Sequence, residues 1–262
     1  MINWDKVTFR ASSWGNLLAE SKTKGEVVGK TCAAELIKIY NLVKYGRKKE
    51  IVTKAMTKGI MVEPEAIALY SLLEGRMYYK NEVRLENEYF SGHPDVADHE
   101  DIMQAMSVDD IKCSWELDSF MPKLLEEPDK GYAAQLNAYY DLTGAQGGSI
   151  VYCLVDCPES VLMDEKRKLL YAMDVIDEEK SPEYKAAEKE LIRNLTFKDI
   201  HYTERVIKKY VPRDEELIEK MKAKVPIFRE WLAEFERKHM KLYQKNLITE
   251  IMNEDAKNGL YE

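Results

Sequence analysis

The sequence predicts an α/β fold in which a central mixed, mainly antiparallel sheet is flanked by helices and followed by a long helical C-terminal extension. Three patterns carry that expectation: apolar residues at helical spacing early in the chain, alternation of apolar and charged residues between Asn81 and Cys113, and the unbroken apolar run Ile150-Val151-Tyr152-Cys153-Leu154-Val155. In chain order, Cys32, Leu36, Ile39 and Val43 mark a core helix within Val27 to Tyr45, and a second helix is expected from about Arg47 to Thr57. After Gly59, the segment from Glu63 to Leu73 reads as a new helix with Pro64 in its first turn and acidic residues near its N-terminus, ending at Gly75. Glu63 then stands at the helix start. Val83, Leu85, Asn87 and Tyr89, with Val108 to Cys113, predict a meander of about three short strands around the turn Gly92-His93-Pro94-Asp95.

Lys130 to Leu142 is helical, with Ala134, Ala138 and Leu142 on one stripe and Gln135 and Tyr139 on the next, before Gly147-Gly148 interrupts it. The apolar run after Ile150 suits a strand buried on both faces. Beyond Pro158 nearly everything reads as helical and charged. The longest helix is expected from about Asp214 to Lys245, with Ile218, Met221, Val225, Phe228, Trp231, Leu232 and Phe235 along one side and a kink at Pro226, and the tail from Asn253 is expected to fray.

A length of 262 residues, 45% hydrophobic, closes one sizeable core, and no linker rich in Gly, Ser and Pro divides the chain. One domain over 1–262 follows, with a core at about 9–156 and a helical extension at about 158–252. No window approaches a membrane span, and Met1 to Arg10 lacks the features of a secretory signal, so a soluble intracellular protein is expected. Cys32, Cys113, Cys153 and Cys157 lack zinc-knuckle spacing and read as buried free thiols. His99, His201 and His239 are scattered among charged residues and read as surface positions.

A formal charge of −8 argues against coating nucleic acid by bulk electrostatics. It leaves room for a local basic channel, built from Arg47, Lys48 and Lys49 or from Arg205, Lys208, Lys209 and Arg213. No phosphate-binding loop of the ATPase type is present.

The meander carries the chemistry. Hydrolysis of a phosphodiester needs an activated water, neutralisation of charge on the phosphoryl oxygens and help for the leaving oxygen; hard divalent ions held by clustered carboxylates supply all three. Asp95 follows a Gly-x-Pro turn at a strand start, and Asp110 and Lys112, two apart, face the same side of a strand. Ile111 between them turns its side chain to the opposite layer and its carbonyl toward the metal edge.

In order, the chain offers an acidic helix, Gly-His-Pro-Asp, a strand with Asp-Ile-Lys, and a helix with Gln-x-x-x-Tyr. This string resembles the PD-(D/E)XK nucleases of the RecB type, and within them the phage lambda exonuclease and YqaJ-like viral recombinase group. The resemblance rests on Gly59-x-x-x-Glu63-x-x-Ala66, Pro94-Asp95, Asp110-Ile111-Lys112 and Gln135-x-x-x-Tyr139, and spans about Phe9 to Asp156. It implies a restriction-endonuclease-like core in which Asp95, Asp110 and the Ile111 carbonyl bind Mg²⁺, with Mn²⁺ able to substitute, and Glu63 joins through a second ion or a water. Lys112 would orient or deprotonate the attacking water, while Gln135 and Tyr139 brace the site and touch the DNA backbone.

The stretch Arg10-Ala11-Ser12-Ser13 resembles the family's N-terminal segment, which implies that Ser12, with Arg10 as charge partner, holds a 5′ phosphate. His93, where relatives often carry a small residue, is the third candidate for contacting nucleic acid. The iron-sulfur cluster of some relatives needs three late cysteines, and none follows Cys157, so no cluster is expected.

The implied activity is a 5′ to 3′ exonuclease on duplex DNA ends in phage-type recombination. It would act in the cytoplasm of a host cell, as a ring-shaped homo-oligomer beside a single-strand annealing protein. An endonuclease using the same site, or a degenerate nuclease fold that only binds DNA, are the alternatives. Residue by residue, Asp95 can be a turn aspartate, Lys112 an edge-strand gatekeeper, Glu65 a rival to Glu63, and Gln135 and Tyr139 ordinary helix-surface residues.

Overall fold

The computed structural model describes residues 2–23, 25–49, 53–178 and 181–257, side chains apart from those of 247, 248 and 250–257. Its elements are β1 (Phe9–Arg10), α1 (Trp14–Leu17), α2 (Lys30–Tyr45), α3 (Lys54–Glu74), β2 (Tyr79–Lys80), β3 (Leu85–Glu86), β4 (Phe90–Gly92), β5 (Val96–Ala97), β6 (Val108–Cys113), α4 (Leu117–Phe120), α5 (Lys130–Thr143), β7 (Gly147–Cys153), α6 (Glu159–Ala172), α7 (Pro182–Leu195), β8 (Val206–Pro212) and α8 (Glu215–Lys257). Five strands form a sheet in the order β2-β5-β6-β7-β8, and β1, β4 and β3 form a smaller one. Only β6 and β7 pair in parallel within the larger sheet, and α5 lies in the crossover between them. The fold is therefore α/β with a mixed, mainly antiparallel sheet, as the patterning predicts.

Alternation along β6 separates two layers. Val108 belongs to the large core under α5, α2 and α8, whereas Ile111 packs with Val62, Ala66 and Tyr70 of α3 on the opposite face. Ile218, Met221, Val225, Phe228 and Leu232 of α8 are fully buried in the large core, which turns the expected apolar stripe into its outer wall.

Three expectations need correction. First, α3 runs unbroken through Gly59 and Pro64, so Glu63 sits mid-helix rather than at a helix start. Thr53 caps the helix by accepting the Met56 amide at 3.2 Å, and Pro64, which forgoes one backbone hydrogen bond, lies on its exposed face. The helix expected from Arg47 begins only at Lys54; Arg47 to Lys49 are non-helical after Gly46 ends α2 at φ 63°, and 50–52 lie outside the described residues.

Second, Gly147 and Gly148 open β7 rather than break the chain before it. A Cβ on Gly148 would fall 1.8 Å from the Val108 carbonyl oxygen, so close strand approach demands glycine there.

Third, the stretch after Pro158 contains a strand, β8, that its charge disguised. Lys208 and Lys209 belong to this sheet edge and not to a helix face, which suits the protection of an edge by cations. Each of these cations has a partner: Lys208 pairs with Glu74 at 2.9 Å, Lys209 donates to the Leu124 carbonyl at 3.1 Å, and Arg213 donates to the Tyr140 and Ala145 carbonyls at 2.7 and 3.2 Å.

A buried polar chain crosses the α3 side of the sheet. Asp109 accepts the Ser149 amide at 2.6 Å and the Tyr70 hydroxyl at 3.0 Å; Tyr70 lies 2.9 Å from the Tyr78 hydroxyl, which accepts from Arg76 at 3.1 Å. Burial pushes the Asp109 carboxyl up despite these donors. Removing one donor from a buried carboxylate costs about 1–3 kcal/mol. Tyr70→Phe is therefore expected to lower the melting temperature by several degrees, read by calorimetry; a change under about 1 °C would show that the hydroxyl contributes nothing.

Candidate active site

The strand β5 is two residues long because Pro94 has no amide to continue the ladder. Its register pairs Val96 with Asp109, and one further step would set Asp95 opposite Asp110. In place of a backbone pair, the Asp95 carboxylate accepts the Ile111 amide through Oδ2 at 2.8 Å. Asp95 is thus brought against the peptide that follows Asp110. Asn81, buried, fixes the same turn from the other side: its amide donates to the Asp95 carbonyl at 3.0 Å and its side chain donates to the Pro94 carbonyl at 3.1 Å.

Asp110 is 1% exposed and faces α5. Its Oδ1 accepts from Gln135 Nε2 at 2.9 Å, and the same nitrogen donates to the Tyr139 hydroxyl at 3.0 Å. Both residues are buried, so they are not the helix-surface residues of the bland reading. Asp110 Oδ2 receives no hydrogen bond of acceptable direction, although Lys112 Nζ stands 2.5 Å away as a counter-ion. The Lys112 ammonium also lies 4.7 Å from the centre of the Tyr132 ring. β6 lies between β5 and β7 in the sheet, but β5 pairs only with Val108 and Asp109, so at Lys112 the strand partner is Tyr152 of β7.

The glycine of the Gly-His-Pro-Asp turn has a steric reason. A Cβ on Gly92 would lie 2.4 Å from Tyr139 Cε1 and 3.2 Å from the Ala11 Cβ. The Tyr139 ring rests on bare backbone.

Glu63 lines a cavity of about 510 Å³ together with Asp95, Ile111 and Lys112, and its carboxylate lies 3.5 Å from Lys80 Nζ. Glu65 is exposed and does not line it. Among the described residues no three His, Cys, Asp or Glu side chains close around one ion position; Asp95 adjoins Asp110 through the Ile111 amide that it accepts.

Arg10 pairs beside Ser91 of β4, whose hydroxyl accepts from Arg84 at 3.0 Å. Ala11 abuts Gly92, so the turn carrying exposed Ser12 borders the exposed His93. Ser13 is committed elsewhere, donating to buried Glu35 at 2.9 Å. Lys58, fully buried on α3, donates to the Ser114 and Trp115 carbonyls at 2.8 and 3.1 Å and pins the chain where it leaves β6. Asn81, Glu35 and Lys58 carry no sequence signal, because each acts through a partner well away in the chain.

The electrostatics follow from crowding. Burial, then the Asp110 charge, push the Asp95 carboxyl up to about 7, against the pull of Lys112 and the Ile111 amide. Burial alone would lower the Lys112 ammonium, but Asp110 and Asp95 outweigh it and raise its pKa. Asp95 and Asp110 offer hard carboxylate oxygens of the kind that would hold a divalent ion, with one Asp110 oxygen paired to Lys112. The four cysteines are free thiols, three buried and Cys113 half-buried at the cavity wall, where burial pushes it up to about 11.

No protein-family model matches the chain, and no curated protein does. Solved structures do. A phage related exonuclease from Haemophilus somnus 129PT superposes with a TM-score of 0.66 at 21% identity, over 89% of this chain and 97% of that one. The chain has the exonuclease fold. An alkaline exonuclease (LHK-Exo) from Laribacter hongkongensis matches with a TM-score of 0.59 at 15% identity, over 93% of this chain and 98% of that one. Its complex with dAMP matches with a TM-score of 0.56 at 16% identity, over 92% and 94% of the two chains. Among the described residues no helix is long and apolar enough to cross a membrane.

Because the Asp95 carboxyl titrates near 7 in the fold and near 3.8 when unfolded, the folded state holds that proton more tightly. The associated stability is present at acid pH and is lost as pH rises through about 7. Asp95→Asn, which keeps an oxygen for the Ile111 amide and cannot ionise, is expected to raise the melting temperature of the metal-free protein by a few degrees at pH 8 and by less at pH 5. An equal shift at both pH values would refute the charge repulsion.

Proposed function

We propose that this chain is a Mg²⁺-dependent DNA nuclease of the PD-(D/E)XK type, one domain over 1–262, acting as a 5′ to 3′ exonuclease on duplex DNA ends in phage-type recombination. The reading is carried by one observation: the Asp95 carboxylate is bonded to the Ile111 amide between Asp110 and Lys112, and the buried Asp110 carboxylate is paired with Lys112. It is supported by the exonuclease names of the structural neighbours and by the nucleotide, dAMP, bound to one of them.

In this reading Asp95, Asp110 and the Ile111 carbonyl hold Mg²⁺ or Mn²⁺, and Glu63 joins through a second ion or a water. The bound ion supplies neutralisation of the charge that builds on the phosphoryl oxygens. Lys112, whose ammonium is held by the two aspartates, donates to the attacking water or the phosphate and orients it. Gln135 fixes the Asp110 carboxylate in one rotamer and Tyr139 holds Gln135; both are buried, so they brace the site from within instead of touching the DNA backbone. Arg10 and Ser12, with His93 beside them, receive the terminal 5′ phosphate. By the same resemblance the protein works in the host cytoplasm as a ring-shaped homo-oligomer beside a single-strand annealing protein.

The test compares a linear duplex with a covalently closed circle of the same sequence, with Mg²⁺ and with EDTA. Linear DNA is expected to be degraded to nucleotides only with Mg²⁺, while the circle stays closed. Asp110→Ala and Lys112→Ala are each expected to lose about 100-fold or more of the rate. Opening of the circle would sink the exonuclease reading, and full activity in either variant would sink the site.

A further inference from the structure

We infer that the basic end of α2 and the overhanging end of α8 form one surface that holds the phosphate backbone of duplex DNA at a distance from the cut end. The inference rests on the nuclease reading above for its partner and assigns a part of the substrate that reading leaves without a contact.

Two runs far apart in the chain build the surface. Glu236 is buried in α8, and from Arg237 to Asn246 every residue of that helix is exposed. This run carries Arg237, Lys238, Lys241 and Lys245 and no acid, although the whole chain has a formal charge of −8. Arg237, Lys241 and Lys245 recur every fourth residue and so share one helix face. Lys238 pairs with Glu234 at 3.8 Å, whereas among the described residues no carboxylate meets Lys241 or Lys245.

The second run, Arg47-Lys48-Lys49, follows Gly46 at the end of α2 and is exposed throughout. His239 joins the two runs: its Nε2 lies 3.3 Å from the Tyr45 hydroxyl, and its ring centre 6.4 Å from that of Tyr40. Glu236 at this junction is already held by Lys44 and by the Trp4 indole.

Charge and place together name the partner. A stripe of ammonium groups with no carboxylate among them repels itself, and it gains most from an anion that repeats along its length. Duplex DNA is such an anion, and the side chains interspersed with these cations, Tyr243, Gln244 and Asn246, are of the kinds that donate to phosphate. The helix α2 sets the distance. Its Glu35 accepts from Ser13, in the turn read above as taking the terminal phosphate, and from Glu35 to Gly46 the helix rises about 16 Å. At about 3.4 Å per step of the duplex, that is about five base pairs. A duplex lying alongside α2 thus meets the basic surface while its strands are still paired.

The experiment measures affinity against salt by fluorescence anisotropy, with the full chain in EDTA and a linear, 5′-phosphorylated duplex of about 30 base pairs. Two double variants, Lys241→Ala with Lys245→Ala and Arg47→Ala with Lys49→Ala, are each expected to lower the slope of log affinity against log salt by about two, and to weaken binding about tenfold at about 0.1 M salt. All four positions are exposed, so the fold is retained. Lys189→Ala with Lys198→Ala removes two exposed lysines in α7 and just after it, and is expected to leave the slope unchanged. Neutral methylphosphonates placed about four to seven base pairs from the 5′ end should weaken binding by the wild-type protein and not by the Lys241/Lys245 variant. An equal loss in the Lys189/Lys198 variant would reduce the effect to net charge, and an unchanged slope in either test variant would leave this face to an acidic protein; both results overturn the inference.

With Mg²⁺, the test variants are expected to raise KM on the linear duplex about tenfold and to keep kcat, since they touch no reacting atom. Absence of hydrolysis by the wild-type protein on every substrate would instead overturn the nuclease reading, and the salt dependence of binding would still decide the surface.

Discussion

The site depends on a ladder that stops one residue early. Pro94 cannot donate, so β5 ends at Val96 and the next partner of β6 is a side chain: the Asp95 carboxylate takes the Ile111 amide that a strand would have taken. One substitution of carboxylate for carbonyl satisfies a buried donor and brings two acids together. Asn81 holds the turn that makes it possible, and Gly92 lets Tyr139 close over the backbone before it.

Two neighbouring aspartates show how alternation assigns opposite tasks. Asp109 points toward α3, where a hydroxyl and an amide satisfy it and it ties β6 to β7 and to the helix bearing Glu63. Asp110 points toward α5, where Gln135 satisfies one oxygen and leaves the other with only a counter-ion. The first is a structural charge, resolved by hydrogen bonds. The second is met by a single side-chain amide and a lysine.

Much of this was legible in the letters because it is periodic. Asp110 and Lys112 share a face since strands repeat every two residues, and Gln135 and Tyr139 share one since helices repeat near four. The apolar run in β7 and the stripe of α8 declared themselves in the same way. What escaped depends on partners far along the chain. Gly59 and Pro64 read as breaks, yet tertiary packing of Val62, Ala66 and Tyr70 carries α3 through them. β8 passed for a helix because half of an edge strand faces water and its lysines mask the alternation. Lys58 and Asn81 were silent, since nothing local marks a lysine that pins a strand end or an asparagine that holds a distant turn.

The grip of Asp95 on Ile111 has a spectroscopic corollary. An amide proton held by a carboxylate feels that group's ionisation directly, where one in an ordinary ladder feels only another peptide. The nitrogen-proton resonance of Ile111 should therefore move with whatever occupies or protonates the neighbouring acids, and the backbone supplies its own label at the centre of the chemistry.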